Sequence, residues 1–260
     1  MRVALVQLDL AWEDPAENHR RADRRLREAA ACGARLAVLP EMFNTGFSMD
    51  AGRLAEPPGG TTELFLREAA EGLGLWVLAG VATLPAPGAR PENHAVLVGP
   101  DGTVRRYAKI HPFSFAGEHE HYAPGAEVHT WEVEGLRITP FICYDLRFPE
   151  IFRAAADRTD LYVVIANWPE RRRAHWQALL RARAIENLAW VLGVNRCGDG
   201  GGLHYSGDSA ALSPWGEVVV SAAERETVLS LAIEPGETTQ ARSQFPVLRD
   251  RAADRWRVVG

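Results

Sequence analysis

Lysine is almost absent from this chain of 260 residues: Lys109 is the only one, although lysine and arginine together number 29. Cysteine is also scarce, with three residues far apart and no C-x-x-C pair. This pattern excludes a disulfide framework and indicates a reducing compartment, so we expect a cytoplasmic protein. Long apolar runs are missing too. No stretch approaches ~18 apolar residues, and the first apolar run is too short for a signal peptide, so we predict no membrane association.

An excess of positive charge is likewise missing. The net charge is −5 and the isoelectric point is near 5.9, which argues against a nucleic-acid partner. The glycine-rich segment 198–209 lacks the G-x-x-x-x-G-K-[ST] pattern of a phosphate-binding loop. The run 118–121 (EHEH) lacks the H-E-x-x-H spacing of a metal site, so we predict no metal and no cofactor. We favour instead a carboxylate from this run that reaches Lys109.

Apolar stretches of strand length alternate with stretches of helical spacing along the chain. We predict strands at 3–8, 36–39, 75–83, 94–98, 103–110, 137–142, 161–167, 190–195, 209–212, 217–221 and 227–233. Helices are predicted from residue 15 to the glycine at 33, and at 62–73, 149–157 and 173–188. No linker divides the chain, so residues 1–260 are predicted to form one α/β domain whose last ~25 residues are an arm or short helix. Parallel pairs, hairpins and two sets of helices indicate a layered sandwich.

Cys143 lies where a predicted strand turns into a predicted helix, which Asp145 and Pro149 open. Such a turn points a side chain into a cleft and aims the following backbone N–H groups at a ligand. The thiol of Cys143 is therefore a candidate nucleophile. Cys32, in an alanine run at the end of a helix, is interpreted as a small core hydrophobe. Cys197 has no obvious charged partner nearby in the sequence.

Two charged residues come at the ends of other predicted strands. Glu41 follows the strand at 36–39 and has apolar neighbours, a setting that suits a general base. Lys109 can provide a fixed positive charge for an oxyanion and favour a nearby thiolate. A chain that uses arginine elsewhere and keeps one lysine indicates that a compact ammonium is required there. A histidine base, His111 or His175, stays open as an alternative.

The segments LPEMFNTGF, YAKIHPF and FICYDLRFPE occur in the order of the glutamate, lysine and cysteine motifs of the nitrilase, or carbon–nitrogen hydrolase, superfamily, which this chain resembles. The resemblance implies a four-layer α-β-β-α sandwich and at least a homodimer. It also implies that Glu41 is the general base, that Lys109 stabilises the tetrahedral intermediate and that Cys143 is the nucleophile. A second glutamate follows the lysine in this family. Glu118 matches that position, with Glu120 as the second choice.

The flanking segments, among them PEMFNTGFSM and ANWPERRRAHWQALLRARAIEN, most resemble the omega-amidase branch of that family. The implied reaction is hydrolysis of the terminal amide of 2-oxoglutaramate or 2-oxosuccinamate through a cysteine thioester, with release of ammonia. Two other hypotheses remain. The same residues can serve another substrate (an aliphatic amide, a carbamoyl amine or a nitrile), or the chain is a catalytically idle interaction module.

Aromatic and amide residues near these motifs are expected to form the substrate pocket. The predicted wall residues are Phe47, Phe115, Tyr144, Asn167 and Trp168.

A dicarboxylate-like substrate also needs a cation opposite its carboxylate, and a guanidinium binds a carboxylate through two hydrogen bonds. Arg172 and Arg147 are the candidates. For Arg147 we favour an internal ion pair with Asp145 or Glu150, which leaves Arg172 as the predicted substrate-binding residue.

Overall fold

The computed structural model describes residues 1–251, and within them the backbone forms thirteen strands. They are β1 (Arg2–Gln7), β2 (Leu36–Val38), β3 (Trp76–Thr83), β4 (Glu92–Val98), β5 (Val104–Ala108), β6 (Trp131–Val133), β7 (Leu136–Ile142), β8 (Leu161–Ala166), β9 (Trp190–Asn195), β10 (Cys197–Gly200), β11 (Leu203–Leu212), β12 (Val218–Ala223) and β13 (Thr227–Ala232). Strands β2, β8 and β9 are buried at every residue, as expected of parallel strands that are covered on both faces.

Seven α-helices lie in the same part of the chain. They are α1 (Pro15–Ala31), α2 (Ala51–Leu54), α3 (Thr61–Leu73), α4 (Glu118–His121), α5 (Pro149–Ala155), α6 (Arg173–Asn187) and α7 (Glu237–Gln244). The local sequence explains where α1 begins, since Asp14 Oδ1 accepts a hydrogen bond from the Glu17 N–H at 3.0 Å and proline occupies the first helical position. No helix among residues 1–251 combines the length and apolar character that a bilayer crossing requires.

The strands form two sheets. The first sheet has six strands in the order β13-β1-β2-β3-β4-β5. The second has seven, in the order β10-β11-β9-β8-β7-β6, with β12 paired to β11. In the first sheet β1, β2 and β3 are parallel, and in the second β7, β8 and β9 are parallel. Each sheet therefore has a parallel centre whose carboxyl ends can present loops to a ligand.

Successive side chains of β1 point to opposite faces of the first sheet, and their contacts show how the layers are stacked. Val3 and Leu5 point into a core shared with the second sheet, where they join residues such as Ile138 and Phe141. Ala4 and Val6 point the other way, into a core formed with α1 and α3. Helices α5 and α6 cover the outer face of the second sheet. The predicted α/β class and the four-layer α-β-β-α sandwich are thus confirmed.

Cys32 does not lie in the core, and its interpretation as a buried hydrophobe is wrong. The residue is exposed, because the chain leaves α1 at Cys32 and turns away through Gly33, whose φ is 76°. The helix ends before its buried stripe reaches this position.

The first part of the predicted C-terminal arm is the short helix α7. Glu237 Oε2 accepts a hydrogen bond from the indole nitrogen of Trp190 at 2.7 Å, and the Thr238 hydroxyl donates to the backbone oxygen of Asp160 at 2.8 Å. These contacts attach α7 to the second sheet. The remainder of that arm, residues 252–260, lies outside the described residues, and a single domain over the full chain stays a prediction.

Candidate active site

Four segments that leave different strands meet at one place in the sandwich. Glu41 comes shortly after β2, Lys109 directly after β5, Cys143 after β7 and Asn167 after β8. Parallel strands place their carboxyl ends on the same edge of a sheet, and the two sheets pack face to face. Residues 68 and 126 positions apart in the sequence therefore form hydrogen bonds with each other here.

Gly80 on β3 makes room for the segment that carries Glu41. A Cβ atom at residue 80 would lie 2.4 Å from Cα of Glu41 and 2.5 Å from the backbone nitrogen of Met42. Two backbone hydrogen bonds cross the same contact, from the Gly80 N–H to the Pro40 oxygen and from the Phe43 N–H to the Gly80 oxygen, both at 3.0 Å. The Glu41 segment is therefore held against β3 at a distance that only glycine permits.

Cys143 occupies the turn from β7 into a short 3₁₀ helix, Cys143–Arg147. Its φ of 46° lies in the left-handed region, which is rare for a residue with a side chain. The first N–H groups of such a turn, including that of Tyr144, have no acceptor within the turn itself. The thiol is thus presented at an elbow beside backbone donors.

Asp145 stabilises this turn through hydrogen bonds to three other residues. Its carboxylate accepts hydrogen bonds from the Ile142 N–H at 3.1 Å, from the Tyr107 hydroxyl at 2.7 Å and from the His111 N–H at 3.0 Å. The ring nitrogen Nδ1 of His111 lies 2.9 Å from the same carboxylate, and the ring stacks on Phe148. His111 is therefore engaged in supporting the elbow.

Lys109 lies between two buried carboxylates. Its Nζ is 2.9 Å from Glu41 Oε1 and 3.0 and 2.8 Å from the two carboxylate oxygens of Glu118. Its side chain is 1% exposed, and both glutamate side chains are 0% exposed. The ring centroid of Phe47 lies 5.2 Å from the ammonium. A compact ammonium carries three hydrogens on one nitrogen, which matches these three contacts, whereas a guanidinium nitrogen carries at most two.

Asn93, on β4, is a further member of this cluster that the sequence analysis missed. Its Nδ2 donates to Glu41 Oε1 at 2.8 Å and to Glu118 Oε1 at 2.9 Å. Its backbone oxygen accepts the N–H of Lys109 at 2.9 Å. An asparagine is depleted in strands, but nothing local in the sequence indicates the two carboxylates that this one bridges.

Glu118 has no acceptor site left for another proton donor. A carboxylate offers about four lone-pair sites. Those of Glu118 accept two contacts from Lys109, one from Asn93 and one from the backbone N–H of Phe113 at 2.5 Å. This carboxylate is therefore placed to orient Lys109.

Glu41 differs from Glu118 by one free site. Its Oε1 accepts from Lys109 and Asn93, and its Oε2 accepts from the backbone N–H of Asn167 at 2.8 Å. The remaining site, on Oε2, is available to the thiol of Cys143, whose pKa this carboxylate raises. Glu41 is consequently the carboxylate that can take the thiol proton.

Burial and neighbouring charges alter the proton affinities in the cluster. Burial by itself lowers the pKa of Lys109, but Glu118 and Glu41 outweigh it and raise that pKa above its ordinary value. Burial raises the pKa of Glu118, an effect that Lys109 opposes and Glu41 reinforces. Burial and then Glu41 raise the pKa of the Cys143 thiol well above its usual range. The raised pKa favours the thiol over the thiolate, so a base must take the proton as the sulfur attacks.

A cavity opens directly over Cys143. Four of the five predicted wall residues line it, namely Phe47, Tyr144, Asn167 and Trp168. Arg172 lines it as well, together with Phe113, Arg147, Arg171 and Tyr205. Aromatic rings thus surround the approach to the sulfur, and arginines stand among them.

Phe115 does not line this cavity, so its prediction as a wall residue is wrong. The side chain is 78% exposed. Residues 114–116 form a 3₁₀ turn, which repeats every three residues, so Phe113 and Ala116 share the face toward the cavity while Phe115 points away.

Arg147 does not form the internal ion pair that we favoured. The carboxylate of Asp145 already accepts four hydrogen bonds at the elbow and has no site left for it. The Arg147 guanidinium lies 4.9 Å from the ring centroid of Trp168 and donates to Nδ1 of His175 at 3.1 Å. His175 is thereby engaged with an arginine at the cavity wall.

Arg172 is placed in the same way over an aromatic ring. Its guanidinium lies 5.1 Å from the ring centroid of Phe113. Burial and then the like charge of Arg171 lower the pKa of Arg172. Among residues 1–251, neither Arg147 nor Arg172 is in an ion pair with a carboxylate. Arg171 lines the same cavity and is in no such ion pair either, so three arginines without a carboxylate partner face the cavity in the described part of the chain.

Comparison with known proteins identifies the family. The model of the carbon–nitrogen hydrolase family matches residues 2–243. This chain belongs to that family. A carbon–nitrogen hydrolase of this kind is an enzyme, and the present one is an amidohydrolase.

Relatives of this carbon–nitrogen hydrolase match it over nearly their whole length. It is 40% identical to the omega-amidase YafV of Escherichia coli K12, over 99% of this chain and 98% of that protein. It is 29% identical to the 2-oxoglutaramate amidase of Bacillus subtilis 168, over 97% and 98%. The crystal structure of XC1258 from Xanthomonas campestris, a protein of the same superfamily, superposes with a TM-score of 0.92 at 38% identity and covers 100% of this chain and 99% of that one.

Proposed function

We propose that this carbon–nitrogen hydrolase is an omega-amidase that hydrolyses the terminal amide of 2-oxoglutaramate or 2-oxosuccinamate. The observation that carries the substrate class is the group of three arginines, Arg147, Arg171 and Arg172, that line the cavity beside Cys143 and have no carboxylate partner among residues 1–251. The names of two relatives, an omega-amidase and a 2-oxoglutaramate amidase, support the same class.

In the first half-reaction the sulfur of Cys143 attacks the amide carbon while Glu41 accepts the thiol proton at its one free site. The C–N bond of the tetrahedral intermediate then breaks. Protonated Glu41 returns the proton to the departing nitrogen, which leaves as ammonia. An acyl group remains on the sulfur as a thioester.

The oxyanion of the intermediate is stabilised by Lys109 and by the backbone N–H of Tyr144. In the resting cluster the ammonium contacts Glu118 twice, at 2.8 and 3.0 Å. When the longer contact is released, one N–H of Lys109 becomes free for the oxyanion and Glu118 still orients the ammonium. One such donor is typically worth about 3 kcal/mol of transition-state stabilisation.

In the second half-reaction water attacks the thioester. Glu41 accepts a proton from the water as the new C–O bond forms, and then returns it to the sulfur as the C–S bond breaks. The product carboxylic acid leaves, and Cys143 is again a thiol. The sum is one amide and one water converted to one carboxylic acid and one ammonia.

Recognition of the distal carboxylate is assigned to Arg172, with Arg147 across the cavity. A guanidinium that stacks on an aromatic ring keeps its N–H groups in one plane, ready to bind a carboxylate through two hydrogen bonds. The wall residues Phe47, Tyr144, Asn167 and Trp168 enclose the short chain between the two ends of the substrate.

We expect the enzyme to release ammonia from 2-oxoglutaramate, and Arg172→Met to lower kcat/KM for this substrate by about 10–100-fold, because a hydrogen bond between charged groups is lost. The same variant should hydrolyse an uncharged amide of similar length at the wild-type rate. Steady-state ammonia release from both substrates, with glutamine and a simple nitrile alongside, measures this.

Equal losses on the charged and the uncharged amide would contradict a carboxylate-binding role for Arg172. A wild-type enzyme that prefers the nitrile or the uncharged amide would assign the same Glu41–Lys109–Cys143 chemistry to another substrate. If no substrate is turned over and Cys143 does not react with electrophiles at neutral pH, the chain is a catalytically idle interaction module.

We also propose a homodimer that forms through an apolar patch on α6 and β12. Ile185, Trp215 and Val218 are each 45–49% exposed, and Gly216 packs its backbone against Ile185. Large apolar side chains grouped on a surface favour association. We expect light scattering to give a mass of two chains of 28.6 kDa, and Trp215→Asp to give monomers, whereas Leu64→Asp on α3 should not. A wild-type monomer at micromolar concentration would refute the dimer.

The cytoplasm is the compartment we propose for this chemistry. All three cysteines are free, and the reaction requires the Cys143 sulfur to remain reduced.

A further inference from the structure

Asn93 and Lys109 bridge the same two carboxylate oxygens. Nδ2 of Asn93 lies 2.8 Å from Glu41 Oε1 and 2.9 Å from Glu118 Oε1. Nζ of Lys109 contacts these same atoms at 2.9 and 3.0 Å. One charged donor and one neutral donor therefore hold the pair of carboxylates together.

Electrostatics explain why a neutral donor, the Asn93 amide, is present beside Lys109. The two carboxylates carry two negative charges against the single charge of Lys109, and all these side chains are at most 1% exposed, so water does not screen them. Like charges at this range favour protonation of one partner. Each hydrogen of the Asn93 amide points at one carboxylate oxygen and opposes that protonation.

We propose that Asn93 is a positioning residue that keeps both carboxylates ionised and occupies one acceptor site on each, so that Glu41 retains a single free site beside the Cys143 sulfur. Asn93 acts through Glu41 and does not line the substrate cavity. The inference rests on the catalytic roles proposed above for Glu41 and Cys143.

The position requires two N–H donors without a charge, and a primary amide provides both. Aspartate would add a third negative charge, serine has one hydrogen for two acceptors, and an apolar side chain has none. A flipped amide would turn its oxygen toward both carboxylates, so the orientation is determined by the contacts. The Oδ1 of Asn93 is buried without a hydrogen-bond partner, as is that of Asn44, so the two residues match in this respect and differ in what their Nδ2 groups contact.

Other titratable groups near Asn93 are already engaged. The Tyr122 hydroxyl donates to the backbone oxygen of Ser48 at 2.8 Å. His94, the next residue on β4, points to the opposite face, where its Nε2 lies 2.6 Å from Glu92. The groups that face the amide are therefore the two carboxylates and the ammonium, with the neutral thiol beyond Glu41.

The test is the pH dependence of Asn93→Leu and Asn93→Ser. We expect Asn93→Leu to lower kcat/KM on 2-oxoglutaramate by about 10–100-fold and to move the acid limb of the pH profile up by about one unit. A protonated Glu41 cannot accept the thiol proton. If the loss of the Asn93 amide makes Glu41 easier to protonate, the acid limb of kcat/KM moves to higher pH. Raising the pH should then restore part of the activity of Asn93→Leu. Asn93→Ser keeps one donor and should shift the limb by less.

Asn44→Leu is the matched control, because Asn44 is also buried and its Nδ2 donates to the Thr62 hydroxyl at 2.9 Å, away from the cluster. It should lower the melting temperature without moving the limb. If Asn93→Leu does not fold, Asn93→Ser carries the test. An equal loss at every pH, with the limb unmoved, overturns the proposal.

A second readout separates this proposal from the substrate assignment. The rate of Cys143 alkylation by iodoacetamide against pH reports proton transfer to Glu41 without any substrate. An upward shift is expected there in both Asn93 variants, smaller in Asn93→Ser than in Asn93→Leu, even if another amide proves to be the substrate. An unshifted alkylation profile also counts against the positioning role.

Discussion

Cys143→Ala is expected to abolish ammonia release, with kcat lowered by about 10⁴-fold or more, because no other group at the cavity can form the acyl intermediate. Fold and melting temperature should change little, since alanine occupies the same turn. The measurement is steady-state ammonia release, combined with mass spectrometry of the protein after brief mixing with substrate. The wild type should show an acyl adduct and the variant none.

Cys197→Ala is the matched control for that experiment. Cys197 is also buried, and burial followed by the charge of Asp9 raises its pKa to about 12, but unlike Cys143 it does not line the cavity. This variant should keep wild-type turnover and still form the adduct. Residual turnover in Cys143→Ala within a factor of ten of the wild type would show that hydrolysis does not proceed through this sulfur.

Lys109→Met is expected to cause the second large effect, on stability as well as on activity. Removal of the ammonium leaves Glu41 and Glu118 as two buried carboxylates without a counter-ion, which typically costs about 3–5 kcal/mol in the free energy of unfolding. Loss of the oxyanion donor should lower kcat by about 10²–10³-fold. Urea unfolding and ammonia release measure the two effects.

The loss of stability should depend on pH in a defined direction. Burial raises the pKa of Glu118 in the folded protein, Lys109 opposes that rise, and without Lys109 the pKa rises further. A carboxylate with a raised pKa in the folded state stabilises the fold at low pH, and the contribution is lost as pH rises through the folded-state pKa. We therefore expect Lys109→Met to approach wild-type stability in mild acid and to diverge from it toward pH 8.

The double variant Lys109→Met/Glu118→Gln separates charge from catalysis. The glutamine side chain introduced in place of Glu118 can still accept the Phe113 N–H with its oxygen, and it carries no charge, so one buried carboxylate is left without a counter-ion instead of two. Much of the lost stability should return, and the activity should not. A single variant as stable as wild type at pH 8 would mean that Lys109 does not compensate these two charges.

The strand-to-helix turn at Cys143 and the positions of Glu41 and Lys109 at strand ends could be predicted, because apolar periodicity and turn residues are local signals. Asn93 could not, since its significance comes from two carboxylates that lie 52 and 25 residues away in the chain. Arg147 was misjudged for a related reason. Asp145, two residues from it, is saturated by donors from other segments, among them Tyr107 and His111, so the local ion pair does not form.

The amino-acid sequence alone therefore determined the class of fold, the family that the chain resembles most, and three of the charged or nucleophilic groups, because each depends on residues within a few turns of chain. The tertiary structure decided how those groups are used. The strand order of the first sheet brings Glu41 beside Lys109, and the packing of the two sheets brings Asn167 to hydrogen-bond distance of Glu41. The count of donors around each carboxylate, which leaves Glu41 one free site and Glu118 none, exists only after that packing. Local propensity acts over a few residues, whereas the acceptor sites of a buried carboxylate are filled by whichever segments the whole core brings to it.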